Sequence, residues 1–217
     1  MNNTAKILFT IALLSIAAFA QKPKPTPKTP ITKTTVKTTP KITFDEGKLV
    51  GKTYTNKGFG FEITFPDEWF IPDQDYEAYM LKNGYDLRLK VPPTIKIFQT
   101  AYKYMPGMAD NSVVRVAVEN LKLQPQIKDA VDYFDAMRKT FATAKTPADF
   151  KYSETKAEKL GTKQFAYLDS SSDETGKKRI YATVKNGYAL MFMITYSDDE
   201  DLKTLRNILA EGNFAVK

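Results

Sequence analysis

The sequence predicts one α+β domain, an antiparallel β-sheet flanked by helices, behind an N-terminal export address. Three observations carry that reading. Residues 59–65 alternate Phe59, Phe61, Ile63 and Phe65 with small or polar residues, the period of a half-buried strand. Residues 150–196 hold four strand-like runs broken by Leu160-Gly161, a polar tip and Asn186-Gly187, the pattern of an antiparallel meander. Residues 126–143 and 198–211 carry apolar side chains at helical spacing.

The chain opens with the features of a signal peptide over residues 1–20. Lys6 precedes an apolar stretch from Ile7 to Phe19, and Ala18-Phe19-Ala20 has the small-x-small pattern of a signal-peptidase site. The stretch is short for a bilayer span, so cleavage before Gln21 is expected, leaving no transmembrane segment in the mature chain. With no cysteine anywhere in the sequence, neither a lipid anchor nor a disulfide is available. The expected address is the periplasm or the extracellular space.

Residues 21–43 form a tether. Six Lys, eight Thr and five Pro fill 19 of its 23 positions, and no acid occurs among them. Such a stretch buries too little apolar surface to offset its ordering entropy and is expected to be disordered. Proline and like-charge repulsion should keep it extended, with a reach of up to roughly 70 Å at about 3.1 Å per residue. Of the 32 basic residues, one lies in the leader and six in the tether, so residues 44–217 balance at 25 bases against 25 acids. The sequence pI of 9.3 therefore reports the tether and gives no reason to expect nucleic-acid binding by the domain. The tether either rests on anionic envelope polymers or lipid headgroups or is a solvated linker.

Within the domain, residues 44–217, Pro66-Asp67-Glu68 turns the chain after the first strand, and Trp69-Phe70-Ile71 packs back before Pro72. Residues 73–90 suit a short helix bearing Tyr76, Met80 and Leu81, with Asn83-Gly84 as its end; a hairpin at Asn83-Gly84 is the alternative. Runs 95–102 and 113–121, rich in β-branched and aromatic residues, read as strands around a long loop. Ile127, Ala130, Val131, Phe134, Met137 and Phe141 define a helix over about 126–143 that covers one sheet face. Strands are expected near 150–158, 162–170, 177–185 and 188–196. The last is apolar on both faces, with Tyr188, Leu190, Phe192, Ile194 and Tyr196 on one and Ala189, Met191 and Met193 on the other, so it should be central and covered twice. Ser197-Asp198-Asp199-Glu200 reads as a capping box for a final helix carrying Leu202, Leu205, Ile208 and Leu209, which Gly212-Asn213 ends before Phe214. The cluster lacks the glycine-punctuated spacing of a calcium loop, which favours capping.

The order of these motifs resembles the PsbP-like domain family over about residues 53–215. Phe59, Phe61, Phe65, Pro66, Trp69, Leu205, Ile208, Leu209 and Phe214 occupy its pattern, all of them core or turn positions. The resemblance implies an α-β-α sandwich around an antiparallel sheet and a non-enzymatic binding, assembly or chaperone-like role. Histidine metal sites found among photosynthetic members have no counterpart, because the chain contains no histidine.

Reactive chemistry is sparse. Without His or Cys there is no Ser-His-Asp or Cys-His nucleophile, no imidazole base and no zinc site of the usual ligands, and no cofactor is implied. Asp67, Glu68, Asp73 and Asp75 gather near the end of the first strand, as a solvated rim or as a glycosidase-like acid and base. Gly58-Phe59-Gly60 precedes a strand rather than a helix, which rules out a phosphate loop. Lys177-Lys178-Arg179 reads as an exposed edge rather than an anion site. Loop 103–112 carries Tyr104, Met105 and Met108 around Pro106-Gly107, either as an adaptable contact surface or folded back as a satellite cluster. Two expectations follow. One is an envelope-side binding or assembly-accessory module for a protein segment or an apolar ligand, with Tyr104, Met105 and Met108 as contacts. The other is a carboxylate-dependent hydrolase acting on envelope polysaccharide.

Overall fold

A computed structural model of the chain describes residues 45–216. The expected signal peptide and tether lie outside the described residues. Among the described residues, ten strands and three helices form two antiparallel sheets and their covering layers. The small sheet is β1 (Lys48–Val50), β2 (Thr53–Asn56) and β3 (Phe61–Thr64), in that order. Helix α1 (Gln74–Lys82) then leads to β4 (Ile95–Tyr102) and β5 (Val113–Asn120) of the large sheet, and α2 (Ala130–Thr143) follows. The remaining elements are β6 (Lys151–Tyr152), β7 (Lys156–Leu160), β8 (Lys163–Ser172), β9 (Gly176–Lys185), β10 (Tyr188–Tyr196) and α3 (Asp199–Glu211). The large sheet runs β4-β5-β10-β9-β8, with β6 and β7 sharing the outer edge of β8.

Strand β10 is central, between β5 and β9, and separates two cores. On one face Leu190, Phe192 and Ile194 meet Phe61, Ile63, Phe65 and Trp69, together with Leu205, Ile208 and Leu209 of α3. On the other, Ala189 and Met191 meet Tyr133, Phe134, Met137 and Phe141 of α2. The layers are therefore α2, the large sheet, and a mixed layer of α3 and the small sheet. Phe214 inserts behind α3 and stacks edge-on against Phe165 and Phe192. Asn186 and Gly187 both take positive φ, +54° and +77°, which is what a two-residue hairpin between β9 and β10 requires. Among the described residues, no helix is long and apolar enough to cross a membrane.

Several expectations change in detail. The strand expected over 59–65 is shortened to β3, because Lys57–Gly60 form a turn in which the Gly60 amide donates to the Asn56 carbonyl at 2.9 Å. Strand β2, which no alternation announced, pairs with it, and β1, equally unannounced, pairs with β2. The strand expected over 150–158 is two: residues 153–155 face only 168 and 169, a one-residue bulge. Ser153 bridges the gap, donating its amide to the Asp169 carbonyl and accepting the Asp169 amide on Oγ. Helix α2 starts at Ala130 rather than near 126, because the Asp129 carboxylate accepts the amides of Val131 and Asp132. The cap of α3 is Asp198, not Ser197, and accepts the Asp201 amide at 2.9 Å. Lys177-Lys178-Arg179 is no exposed edge. Strand β9 is interior; Lys178 is 9% exposed, and burial, then the Arg115 charge, lowers its ammonium to about 8. Arg179 chelates Asp169 across the strand pair and lies over the Tyr167 ring. Helix α1 forms, capped by Asp73 and ended at Asn83, so Asn83-Gly84 is a helix terminus and not a hairpin.

Candidate functional site

The turn after β3 sets one wall of a groove. Phe65 is buried and its amide donates to the Lys52 carbonyl in the β1-β2 turn. Pro66-Asp67-Glu68 reverses the chain, closed by the Trp69 amide on the Pro66 carbonyl at 3.1 Å. Trp69 drops into the core. Phe70 then exchanges two backbone hydrogen bonds with Tyr102, at 2.7 and 2.8 Å, which ties the turn to the end of edge strand β4. The Phe70 ring meets Tyr76 of α1 edge-on at 4.8 Å.

Loop 103–112 sets the opposite wall, and its base is anchored twice. The Lys103 amide donates to the Ser112 carbonyl, while Asn111 reaches back with three hydrogen bonds. Its Oδ1 accepts the Tyr104 amide, and its Nδ2 donates to the carbonyls of Tyr104 and Met105. Beneath the loop, Asp201 of α3 is 3% exposed, accepts the Ser112 hydroxyl and pairs with Lys103 Nζ at 2.7 Å. That hydrogen bond raises the Lys103 ammonium above its usual range. A carboxylate at the third position of α3 thus reaches a loop 89 residues earlier in the chain, while Asp198 keeps the cap.

Between the walls lies a groove of about 470 Å³, with Trp69 and Phe70 below, Tyr104, Met105 and Met108 on the loop side, and Lys52, Lys103, Asp67 and Glu68 at its margin. Tyr104, Met105 and Met108 are 45, 54 and 59% exposed, so they are not folded back into a satellite cluster. The acid group divides. Asp67 and Glu68 stand exposed on the groove, whereas Asp73 accepts the Tyr76 amide at 2.8 Å as the cap of α1, with Asp75 in the first turn. Among the described residues, no group of three or more His, Cys, Asp or Glu is placed to hold a metal ion. Sequence reasoning missed Lys52, Phe70 and Lys103 as groove residues; only the pairing of β2 with β3 and of Phe70 with Tyr102 brings them together.

No family model matches the chain, and no curated protein matches it. Among solved structures, it is similar to the solution structure of cyanobacterial PsbP (CyanoP) from Synechocystis, at 14% identity over 76% of this chain and 94% of that one, with a TM-score of 0.47. It is also similar to a crystal structure from Bacteroides thetaiotaomicron, at 14% identity, 77% and 49% coverage and a TM-score of 0.38. At these values the likenesses bring no ligand, partner or activity with them.

Proposed function

We propose that this chain is an exported, non-enzymatic binding or assembly-accessory module of the cell envelope, which recognises a protein segment or an apolar ligand at the groove under loop 103–112. One observation carries the reading: the loop is pinned by Asn111 and by buried Asp201, yet it leaves Tyr104, Met105 and Met108 in solvent. Anchoring a loop that buries none of its large side chains contributes little to the core. It does hold a contact surface in one conformation, which lowers the ordering cost of binding. Thioether and phenol side chains suit such a surface, since they give large contact area and can repack. The lack of His and Cys and the charge balance of residues 44–217 also support a binding role. In this reading the N-terminal tether holds the domain away from its point of attachment.

The test replaces Tyr104, Met105 and Met108 by Ser together and compares partner capture from the native envelope with wild type. Because the three are exposed, the thermal midpoint should stay within about 2 °C. Capture should be lost. Unchanged capture, or a large fall in the midpoint, would overturn the assignment.

A further inference from the structure

We infer that the groove takes a short cationic segment of a partner protein, an apolar side chain against Phe70 and Tyr104 with Lys or Arg beside it at Asp67 and Glu68. This rests on the binding-module reading above and adds the chemistry of the occupant. The four charged residues of the groove fall into two kinds. Lys52 Nζ donates to the Trp69 carbonyl. Lys103 Nζ is held by Asp201 at 2.7 Å and by Asp198 at 4.0 Å. Both ammonium groups are therefore held within the protein, Lys103 by carboxylates and Lys52, which keeps its charge, by a neutral carbonyl. Asp67 and Glu68 are exposed and make no ion pair or side-chain hydrogen bond with any described residue.

What the groove offers an incoming group is thus carboxylate over an apolar floor. A complementary potential attracts a cationic segment, and an acidic one meets unpaired like charge. The methionines also suit the aliphatic stem of Lys or Arg through stem packing, while the Tyr104 ring already carries Lys103 Nζ at 5.3 Å. The volume of about 470 Å³ fits a few side chains rather than the face of a domain.

Anisotropy titration of the full-length chain with a labelled Lys-Leu-Phe-Leu-Lys peptide, and with its counterpart bearing Glu for Lys, tests the inference. The Lys peptide should bind, weaken as salt is raised and lose about tenfold in affinity to Asp67→Asn combined with Glu68→Gln, with the thermal midpoint unchanged. The Glu peptide should not bind. No binding of the Lys peptide, equal binding of the two, or indifference to the double variant would refute the cationic occupant. None of these bears on partner capture by loop 103–112, whose own test is the triple Ser variant. A chain lacking residues 21–43 that binds the Lys peptide more than tenfold tighter would assign the groove to the chain's own N-terminal segment, overturning the partner.

Discussion

Trp69→Ala removes the side chain that joins the turn after β3 to the core, and its cost can be worked from the structure. Trp69 is 3% exposed and packs in the cluster shared by β3, β10 and α3. A buried tryptophan removes about 150–250 Å² from water, worth about 4–6 kcal/mol at about 25 cal/mol per Å². Alanine retains part of that area and the surroundings relax, which brings the expected loss to about 3–5 kcal/mol. The backbone bonds of residue 69, its amide to Pro66 and its carbonyl to Lys52, survive the change, so the loss is one of packing. For a domain of this size that corresponds to a fall of about 6–20 °C in the thermal midpoint. Urea unfolding should be followed by far-UV circular dichroism, because Trp69 is the only tryptophan and its fluorescence disappears with it. Trp69→Phe, which keeps most of the volume, should lose less than half as much. A loss under about 1 kcal/mol for the alanine variant would refute the argument, since it would mean that the ring is not held by the core.

Other expectations test different parts of the molecule. At Gly161, in the turn between β7 and β8, φ is +56° and an added Cβ would lie 2.1 Å from the Ala210 carbonyl oxygen, so Gly161→Ala should cost about 3 kcal/mol in urea unfolding; a neutral result would disprove the close approach of that turn to α3. Burial raises the Glu119 carboxyl above its ordinary 4.5, so the folded state holds its proton more firmly than the unfolded chain. That contribution to stability is complete below 4.5 and is lost as pH rises through the folded-state value. Glu119→Gln keeps an acceptor for the Tyr133 hydroxyl and should remove this slope, matching wild type at acid pH and at least equalling it at pH 7; a wild type that gained on the variant over the same rise would contradict it. Mass spectrometry of the exported protein should find Gln21 as its first residue, and an intact residue 1 would count against the expected cleavage. Deleting residues 21–43 should leave the thermal midpoint unchanged, whereas a clear drop would reveal docking onto the domain.

The elements legible in the sequence are those set by local patterns. The two-faced apolar run of β10, the helical stripes of α2 and α3, and the Asn186-Gly187 hairpin follow from side-chain period and allowed φ, which a residue carries wherever the chain goes. The missing His and Cys are likewise properties of composition. Other features depend on partners distant in sequence, and no local pattern encodes those. Strands β1 and β2 lack alternation and exist by pairing in series, β2 with β3 and β1 with β2. The cap of α3 falls at Asp198, while Asp201 is bound to Ser112 and Lys103 from another part of the sheet. Lys178 looks like a surface lysine until β9 is placed between β10 and β8. The groove is the clearest case: Tyr104, Met105, Met108, Asp67 and Glu68 could be singled out by residue type, but their exposure and juxtaposition were undetermined. Those were decided by tertiary contacts, the pairing of Phe70 with Tyr102 and the anchoring of the loop by Asn111 and Asp201, because hydrogen bonds and packing across tens of residues, not local propensity, choose which side chains a loop buries.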